Sequence, residues 1–241
     1  MEQNRLNDAI RYAVEKHEGQ YRKGTMMPYI VHPLETMQIL YSMSADTNLM
    51  IAGVLHDTLE DTSASKEELE LLFGESVSRM VAMHSEDKSK SWEERKQTAI
   101  AELAEADKSF KMLVMADKVS NLRSMLRDYR AEGERFWNRF NRPKAQQAWY
   151  YSKIQDALYD LQHYADTASV YWEMVGLYKD IFVRYYLNGT ATAIYQVNAE
   201  GDVYVLHKGN PQWYPYEGNI PAYIAQVERY YAEHLEDSWT E

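Results

Sequence analysis

The sequence contains no cysteine, and this absence excludes several classes of function. Disulfide-stabilised scaffolds, cysteine-ligated zinc sites and catalysis by a thiol are all ruled out. Any metal ion must therefore be held by the side chains of histidine, aspartate and glutamate. Internal repeats and low-complexity linkers are absent as well.

The sequence also lacks long apolar runs and has fewer basic than acidic residues. No segment reaches the length of a membrane span, and the first residues do not resemble a signal peptide, so we expect a cytoplasmic protein without membrane contact. There are 26 lysines and arginines against 37 aspartates and glutamates, which gives a net charge of −11. Because nucleic-acid binding needs a broad positive field, we do not expect it here. A local cluster of basic residues could still hold an anionic small molecule.

The composition and the spacing of apolar residues indicate a globular protein whose first part is mainly helical. The 241 residues are 45% hydrophobic and 26% charged, a composition typical of folded domains. Apolar residues recur at helical spacing up to about residue 163, where no strand is required. Ser65 and Ser91 each open a helix with a capping box, and residues 108–128 form a long, mostly apolar helix. We therefore predict a helical bundle over residues 1–165.

The character of the sequence changes in the extension, residues 166–241. Its pattern predicts a helix over 170–187, a β-hairpin formed by 190–198 and 203–207, and a closing helix over 221–236, with a short third strand near 213–216. The fold class is thus mainly α, with a small α+β extension packed on the bundle. The extension is rich in tyrosine and tryptophan, which either fill a core under the hairpin or form an interface.

The segment from His56 to Asp61 carries the strongest chemical indication. It follows the apolar run of residues 49–55 and contains one imidazole and three carboxylates. On a continuous helix, Asp57, Glu60 and Asp61 would share one face. Their mutual repulsion and unfavourable desolvation would both be relieved by a divalent cation such as manganese, iron or zinc. The alternative is a helix end that reaches solvent with its carboxylates hydrated.

A second polar group lies on the long helix predicted over 108–128. Asp117, Ser120, Asn121 and Ser124 are spaced so that they form one stripe, and polar groups on a buried helix need partners or a ligand. The alternative is a simple ion pair of Asp117 with a neighbouring cation. His32 adds an isolated imidazole at the start of another helix, and isolated histidines are usually structural or exposed.

Taken together, these residues resemble a known family. His32, His56-Asp57 and Asp117 are similar to the H…HD…D pattern of HD-domain phosphohydrolases. Residues 20–33 resemble the opening of RelA/SpoT-type alarmone hydrolases, 56–62 their HDxxEDT signature, and 116–123 their ADxxxNLR helix. Residues 86–96 are similar to the lysine-bearing loop of the small, stand-alone members. The resemblance covers about residues 5–160, and the extension resembles no pattern that we can name.

The resemblance implies specific roles for individual residues. It implies one metal ion, usually Mn²⁺ with other divalent transition metals as alternatives, held by His32, His56, Asp57 and Asp117. It implies an acid/base pair formed by Glu60 and Asp61. The substrate-binding residues that it implies are Arg22, Lys23, Lys88, Lys90, Arg95, Lys96, Asn121, Lys144 and Tyr150.

The implied reaction is hydrolysis of the 3′-diphosphate of (p)ppGpp to GDP or GTP and pyrophosphate. No synthetase-like sequence follows, so we expect degradation of the nucleotide only. Three alternatives remain: the same chemistry on (p)ppApp, removal of the 2′-phosphate of NADPH, and a non-catalytic alarmone sensor. The retained carboxylate pair argues against a sensor. A homodimer formed through the extension is a further hypothesis.

Overall fold

The computed structural model describes residues 2–221 and 224–240, and helices dominate them. The α-helices are α1 (Glu2–Lys16), α2 (Val31–Met43), α3 (Thr47–Leu55), α4 (Thr58–Asp61), α5 (Lys66–Phe73), α6 (Glu75–His84), α7 (Trp92–Glu105), α8 (Lys108–Glu132), α9 (Lys144–Ala157), α10 (Ala168–Phe182) and α11 (Arg229–Thr240). Two 3-10 helices span Gly133–Arg139 and Tyr159–His163. The strands are β1 (Arg184–Leu187), β2 (Ala193–Val197), β3 (Val203–His207), β4 (Asn210–Pro215) and β5 (Ala225–Val227).

Helix α3 lies at the centre of the bundle. Its residues from Leu49 to Leu55 are all buried, and it packs against α1, α2, α6 and α8. A helix that is apolar on every side is stable only when neighbours surround it.

None of the described helices is long and apolar enough to cross a membrane. The predicted helical bundle is confirmed.

Serine caps fix the start of two surrounding helices, and the complete capping box that the sequence predicts for both is seen at Ser91. Ser65 Oγ accepts a hydrogen bond from the Glu68 amide at the start of α5. Ser91 forms a complete capping box with Glu94 at the start of α7. Each cap satisfies amides that the first helical turn leaves without partners.

The close approach of α2 and α3 depends on Gly53. A Cβ atom added at this position would overlap the side chain of Leu40, which is fully buried. We expect Gly53→Ala to lower the free energy of unfolding by about 1–3 kcal/mol, as is typical of an overpacked core. Gly189→Ala is the matched control, because nothing lies near its added Cβ. Urea unfolding of both variants tests this prediction, and equal stabilities would contradict it.

The chain does not continue as one helix to Asp61, in contrast to the prediction. Helix α3 ends at Leu55, and α4 starts only at Thr58. His56 Nδ1 donates to the Gly53 carbonyl (2.8 Å), and Thr58 Oγ1 donates to the Leu55 carbonyl (2.7 Å). Side chains therefore satisfy carbonyls at the end of α3, which favours a stop. The turn places His56 and Asp57 between two helices.

The extension contains a five-stranded antiparallel sheet with the order β4-β3-β2-β1-β5. The predicted hairpin is confirmed as β2 and β3, which pair from Val197↔Val203 to Ala193↔His207, and the expected third strand lies within β4. The predicted helix over 170–187 is too long, because residues 184–187 form β1. Their pairing with β2 outweighs the apolar helical pattern that precedes them.

The predicted closing helix over 221–236 is correct only in its second half. Residues 225–227 form β5, which pairs with β1, and α11 starts at Arg229; residues 222–223 lie outside the described part. Helix α11 packs on β1 and β4, and its Ala232 forms a small core with Tyr185, Ile194 and Leu206 of the sheet. Helix α10 instead contributes Met174 and Phe182 to the main core. The division of the chain at residue 166 stays a prediction.

Candidate metal centre and active site

Four side chains from three separate parts of the sequence lie close together. His32 comes from the first turn of α2, His56 and Asp57 from the turn between α3 and α4, and Asp117 from the middle of α8. His56 Nε2 lies 3.2 Å from His32 Nε2 and 2.9 Å from Asp57 Oδ2. Asp117 Oδ1 lies 3.2 Å from His32 Nε2 and 3.7 Å from His56 Nε2. The predicted ligand set therefore converges, with both histidines and Asp117 buried.

Hydrogen bonds on the far side of each imidazole fix its tautomer. His56 Nδ1 donates to the Gly53 carbonyl, which can only accept. Ser120 Oγ donates to Glu35 Oε2 (2.7 Å), so it accepts from His32 Nδ1 (2.8 Å). In the neutral rings both Nε2 atoms then carry lone pairs directed at the same point. Two facing lone pairs repel each other unless a cation lies between them.

The electrostatics of this centre also favour a positive charge. Burial would lower the pKa of His56, but the negative charges of Asp57 and Asp117 raise it to about 9. Burial would raise the pKa of Asp57, but the positive charge of His56 holds it well below its usual range. Two imidazoles and two carboxylates form a donor set that suits a divalent transition metal. The residues present therefore fit the metal ion on which HD-domain hydrolases depend.

His84 and Lys118 also reach this centre. The sequence offered Lys118 as an alternative ion-pair partner of Asp117, and it assigned His84 no role. Lys118 Nζ donates to Asp117 Oδ2 (2.7 Å), and His84 Nε2 lies 3.3 Å from the same oxygen. His84 shares the buried face of α6 with Val77 and Val81 at helical spacing. That spacing is the sequence pattern that could have indicated an inward-facing histidine.

Glu60 and Asp61 follow the centre in α4 but point to different surroundings. Glu60 lines the same cavity as His32, Asp57 and Asp117. Asp61 does not line that cavity, and its side chain is 36% exposed. Lys88 connects the two, since its Nζ lies 3.0 Å from Asp61 Oδ1 and 3.7 Å from Glu60 Oε1. Glu60 is therefore the carboxylate nearer to any ligand of the cavity.

The cavity beside the metal centre has a volume of about 280 Å³. One wall carries Arg95 and Lys96 from α7, which both donate to Glu86, at 3.0 and 2.6 Å. Tyr150 from α9 lies in the same wall, with Lys96 Nζ 4.5 Å from its ring centre. The wall presents cations to an anionic ligand while Glu86 balances part of their charge.

A second cavity of about 210 Å³ adjoins the first, and Tyr29 and Asn121 line both. Arg22 donates to Asn121 Oδ1 (2.8 Å), and Asn121 Nδ2 donates to Asp117 Oδ1 (2.6 Å). This chain of hydrogen bonds connects the second cavity to the metal centre. The aromatic rings in its lining belong to Tyr29, Phe136, Phe140 and Tyr151.

The remaining predicted substrate contacts are dispersed. Lys23 lines the second cavity, with its ammonium group 5.6 Å from the Phe140 ring. Lys90 lines a third cavity of about 150 Å³, which shares Glu86 and Arg95 with the first. Lys144 donates to Tyr129 and to Glu134 and lines neither of the two main cavities. The structure thus places Lys90 in one cavity with Arg95, whereas Lys88 and Lys144 line neither of the two main cavities.

Known proteins are similar to this chain in sequence. The sequence pattern of the HD domain matches residues 9–142. The guanosine-3′,5′-bis(diphosphate) 3′-pyrophosphohydrolase MESH1 of Xenopus tropicalis is 38% identical over 123 residues, which cover 50% of this chain and 69% of the relative. Its Homo sapiens counterpart is 37% identical over 127 residues, which cover 51% and 70%.

A solved structure supports the same relationship. It is that of a metazoan ortholog of SpoT that hydrolyses ppGpp, and it is similar to this chain with a TM-score of 0.60 and 28% sequence identity. The similarity covers 73% of this chain and 94% of that one. The resemblance to RelA/SpoT-type hydrolases is confirmed. The chain belongs to the HD-domain family and is a relative of the MESH1 pyrophosphohydrolases.

Proposed function

We propose that this chain is a metal-dependent hydrolase that removes the 3′-diphosphate of (p)ppGpp, giving GDP or GTP and pyrophosphate. The observation that carries the proposal is the convergence of His32, His56, Asp57 and Asp117 beside Glu60, which lines the same cavity. The similarity to MESH1, which is named for this reaction, supports the choice of substrate.

The four converging residues would hold one divalent ion, for which we propose Mn²⁺. When bound, such an ion lowers the pKa of a water molecule and polarises a phosphoryl oxygen. Glu60 accepts the proton of the attacking water and holds that water in line with the phosphorus. General-base help of this kind is worth about 10²–10⁴-fold in rate. Asp61 acts through Lys88, which joins it to Glu60.

Different parts of the substrate bind to the basic residues of the first cavity and to the second cavity. Arg95, Lys96 and Lys118 line the first cavity and bind the diphosphate, which neutralises its developing charge. Arg22 and Lys23 line the second cavity with aromatic rings, a combination that suits stacking and cation–π contact with a base. Asn121 joins Arg22 to Asp117, and Tyr150 lines the first cavity. For Lys88, Lys90 and Lys144, substrate contact stays a prediction from the sequence.

A nucleotide panel tests the proposed reaction directly. With Mn²⁺, we expect pyrophosphate and GDP or GTP from (p)ppGpp, at a higher kcat/KM than for (p)ppApp. NADPH would release inorganic phosphate instead, so the separated products distinguish the alternatives. Faster turnover of (p)ppApp or NADPH would contradict the proposed substrate. Tight binding of (p)ppGpp without any product would favour the sensor.

The extension provides the proposed surface for a homodimer. Tyr230 is 80% exposed and Tyr231 48% exposed on α11, and aromatic residues are enriched at interfaces. Truncation at residue 166 would remove α10 from the main core, so surface variants are the better test. Light scattering should give twice the chain mass for wild type and the chain mass for Tyr230→Ser/Tyr231→Ser. A monomeric wild type would contradict the dimer.

The expected cytoplasmic location stays a prediction.

A further inference from the structure

His84 lies at the metal centre without a part in the reaction described above. It is the last residue of α6, and its side chain is only 10% exposed. Its ring meets the His56 ring edge-on, with 5.0 Å between the centres and an angle of 86°. Nε2 lies 3.3 Å from Asp117 Oδ2, and the buried Nδ1 has no hydrogen-bond partner in the described part of the chain.

The two oxygens of Asp117 have different surroundings. Oδ1 faces His32 Nε2 at 3.2 Å and accepts a hydrogen bond from Asn121. Oδ2 accepts a hydrogen bond from Lys118 Nζ at 2.7 Å and lies 3.3 Å from His84 Nε2. The position of Oδ1 at the metal centre therefore depends on what holds Oδ2.

We propose that His84 is a positioning residue that donates its Nε2–H to Asp117 Oδ2 and so keeps Oδ1 directed at the metal ion. Nε2 of His84 is assigned as the donor because a carboxylate oxygen can only accept a hydrogen bond. This inference rests on the metal dependence of the proposed function. Residues that support a metal ligand in this way typically contribute 10–100-fold to metal affinity.

His84 does not itself hold a second ion in this proposal. Its nearest carboxylate oxygen already binds the ammonium group of Lys118, and another cation beside that group would be repelled. Lys118 and Asn121 also continue to hold Asp117 when His84 is removed. The expected effect of losing His84 therefore lies near the lower end of the range, at about tenfold.

Titration calorimetry with Mn²⁺ alone, without nucleotide, tests the proposal. We expect one ion per chain in wild type and a Kd about tenfold higher in His84→Leu, with the stoichiometry unchanged. His84→Gln should recover most of the affinity, since its amide nitrogen can replace Nε2 as the donor. His207→Leu, an exposed histidine on β3, is the matched control and should bind as wild type does.

Three results would overturn the proposal. These are an unchanged Kd in His84→Leu, a Kd in His84→Gln as high as in the leucine variant, and a stoichiometry that falls from two ions to one. Thermal unfolding of each variant reports its folding, and His84→Asn, which is too short to reach Asp117, replaces the leucine variant if that one does not fold. The calorimetry is independent of the nucleotide, so failure of the substrate panel leaves this result standing. A wild type that binds no Mn²⁺ would overturn both proposals.

Discussion

Replacing Asp57 with alanine should abolish both metal binding and turnover. Asp57 Oδ2 lies 2.9 Å from His56 Nε2 and 3.5 Å from His32 Nε2, and it accepts a hydrogen bond from Tyr29 (2.7 Å). Its removal takes one negative charge and one ligand atom from a buried centre. We expect the loss of metal affinity to exceed the roughly 100-fold typical of residues that only support a ligand. Mn²⁺ calorimetry and pyrophosphate release measure the two effects.

Two further variants separate charge from shape in this experiment. Asp57→Asn keeps the size of the side chain but removes the charge, and we expect it to lose most of the metal affinity as well. Asp8→Asn, an exposed aspartate on α1 paired with Arg11, should behave as wild type. Normal pyrophosphate release by folded Asp57→Ala would show that the centre has been wrongly assigned.

Replacing Glu60 with glutamine should slow the reaction while the metal ion stays bound. Glu60 lines the cavity but is not among the four converging ligands, and glutamine has the same shape without the ability to take a proton. We expect kcat to fall about 10²–10⁴-fold, with a Kd for Mn²⁺ close to that of wild type. Steady-state kinetics with (p)ppGpp and Mn²⁺ calorimetry measure the two quantities.

Asp61 and Glu67 provide the comparisons for this variant. Asp61→Asn should lose less rate, because Asp61 lies outside the cavity and contacts Lys88. Glu67→Gln, on the exposed side of α5, should have no effect. A parallel loss of metal affinity and rate in Glu60→Gln would indicate a structural role for Glu60 instead of a catalytic one.

The buried polar positions of the proposed metal ligands could be predicted in part, because their local sequence is distinctive. His56-Asp57 follows an apolar helix, and Asp117 belongs to a polar stripe on a buried one, so each indicates a buried polar site by itself. Their convergence with His32 depends on the packing of α2, α3 and α8. No spacing in the sequence fixes that packing, and the family resemblance supplied it.

Two features could not be predicted in the same way, for different physical reasons. His84 ends a short helix, and only the packing of α6 on α3 brings its ring to His56. Residues 184–187 continue an apolar helical pattern, and their strand conformation results from pairing with β2 and β5. Strand formation depends on such distant partners more strongly than helix formation does.

Anomalous diffraction at the manganese absorption edge, from crystals grown with Mn²⁺, tests the central claim most directly. We predict one strong peak within coordination distance of His32 Nε2, His56 Nε2, Asp57 and Asp117 Oδ1, with Glu60 facing it across the cavity. A structure in which His32 or Asp117 points away from His56 and Asp57, or in which no peak lies among the four, would contradict the proposed hydrolase.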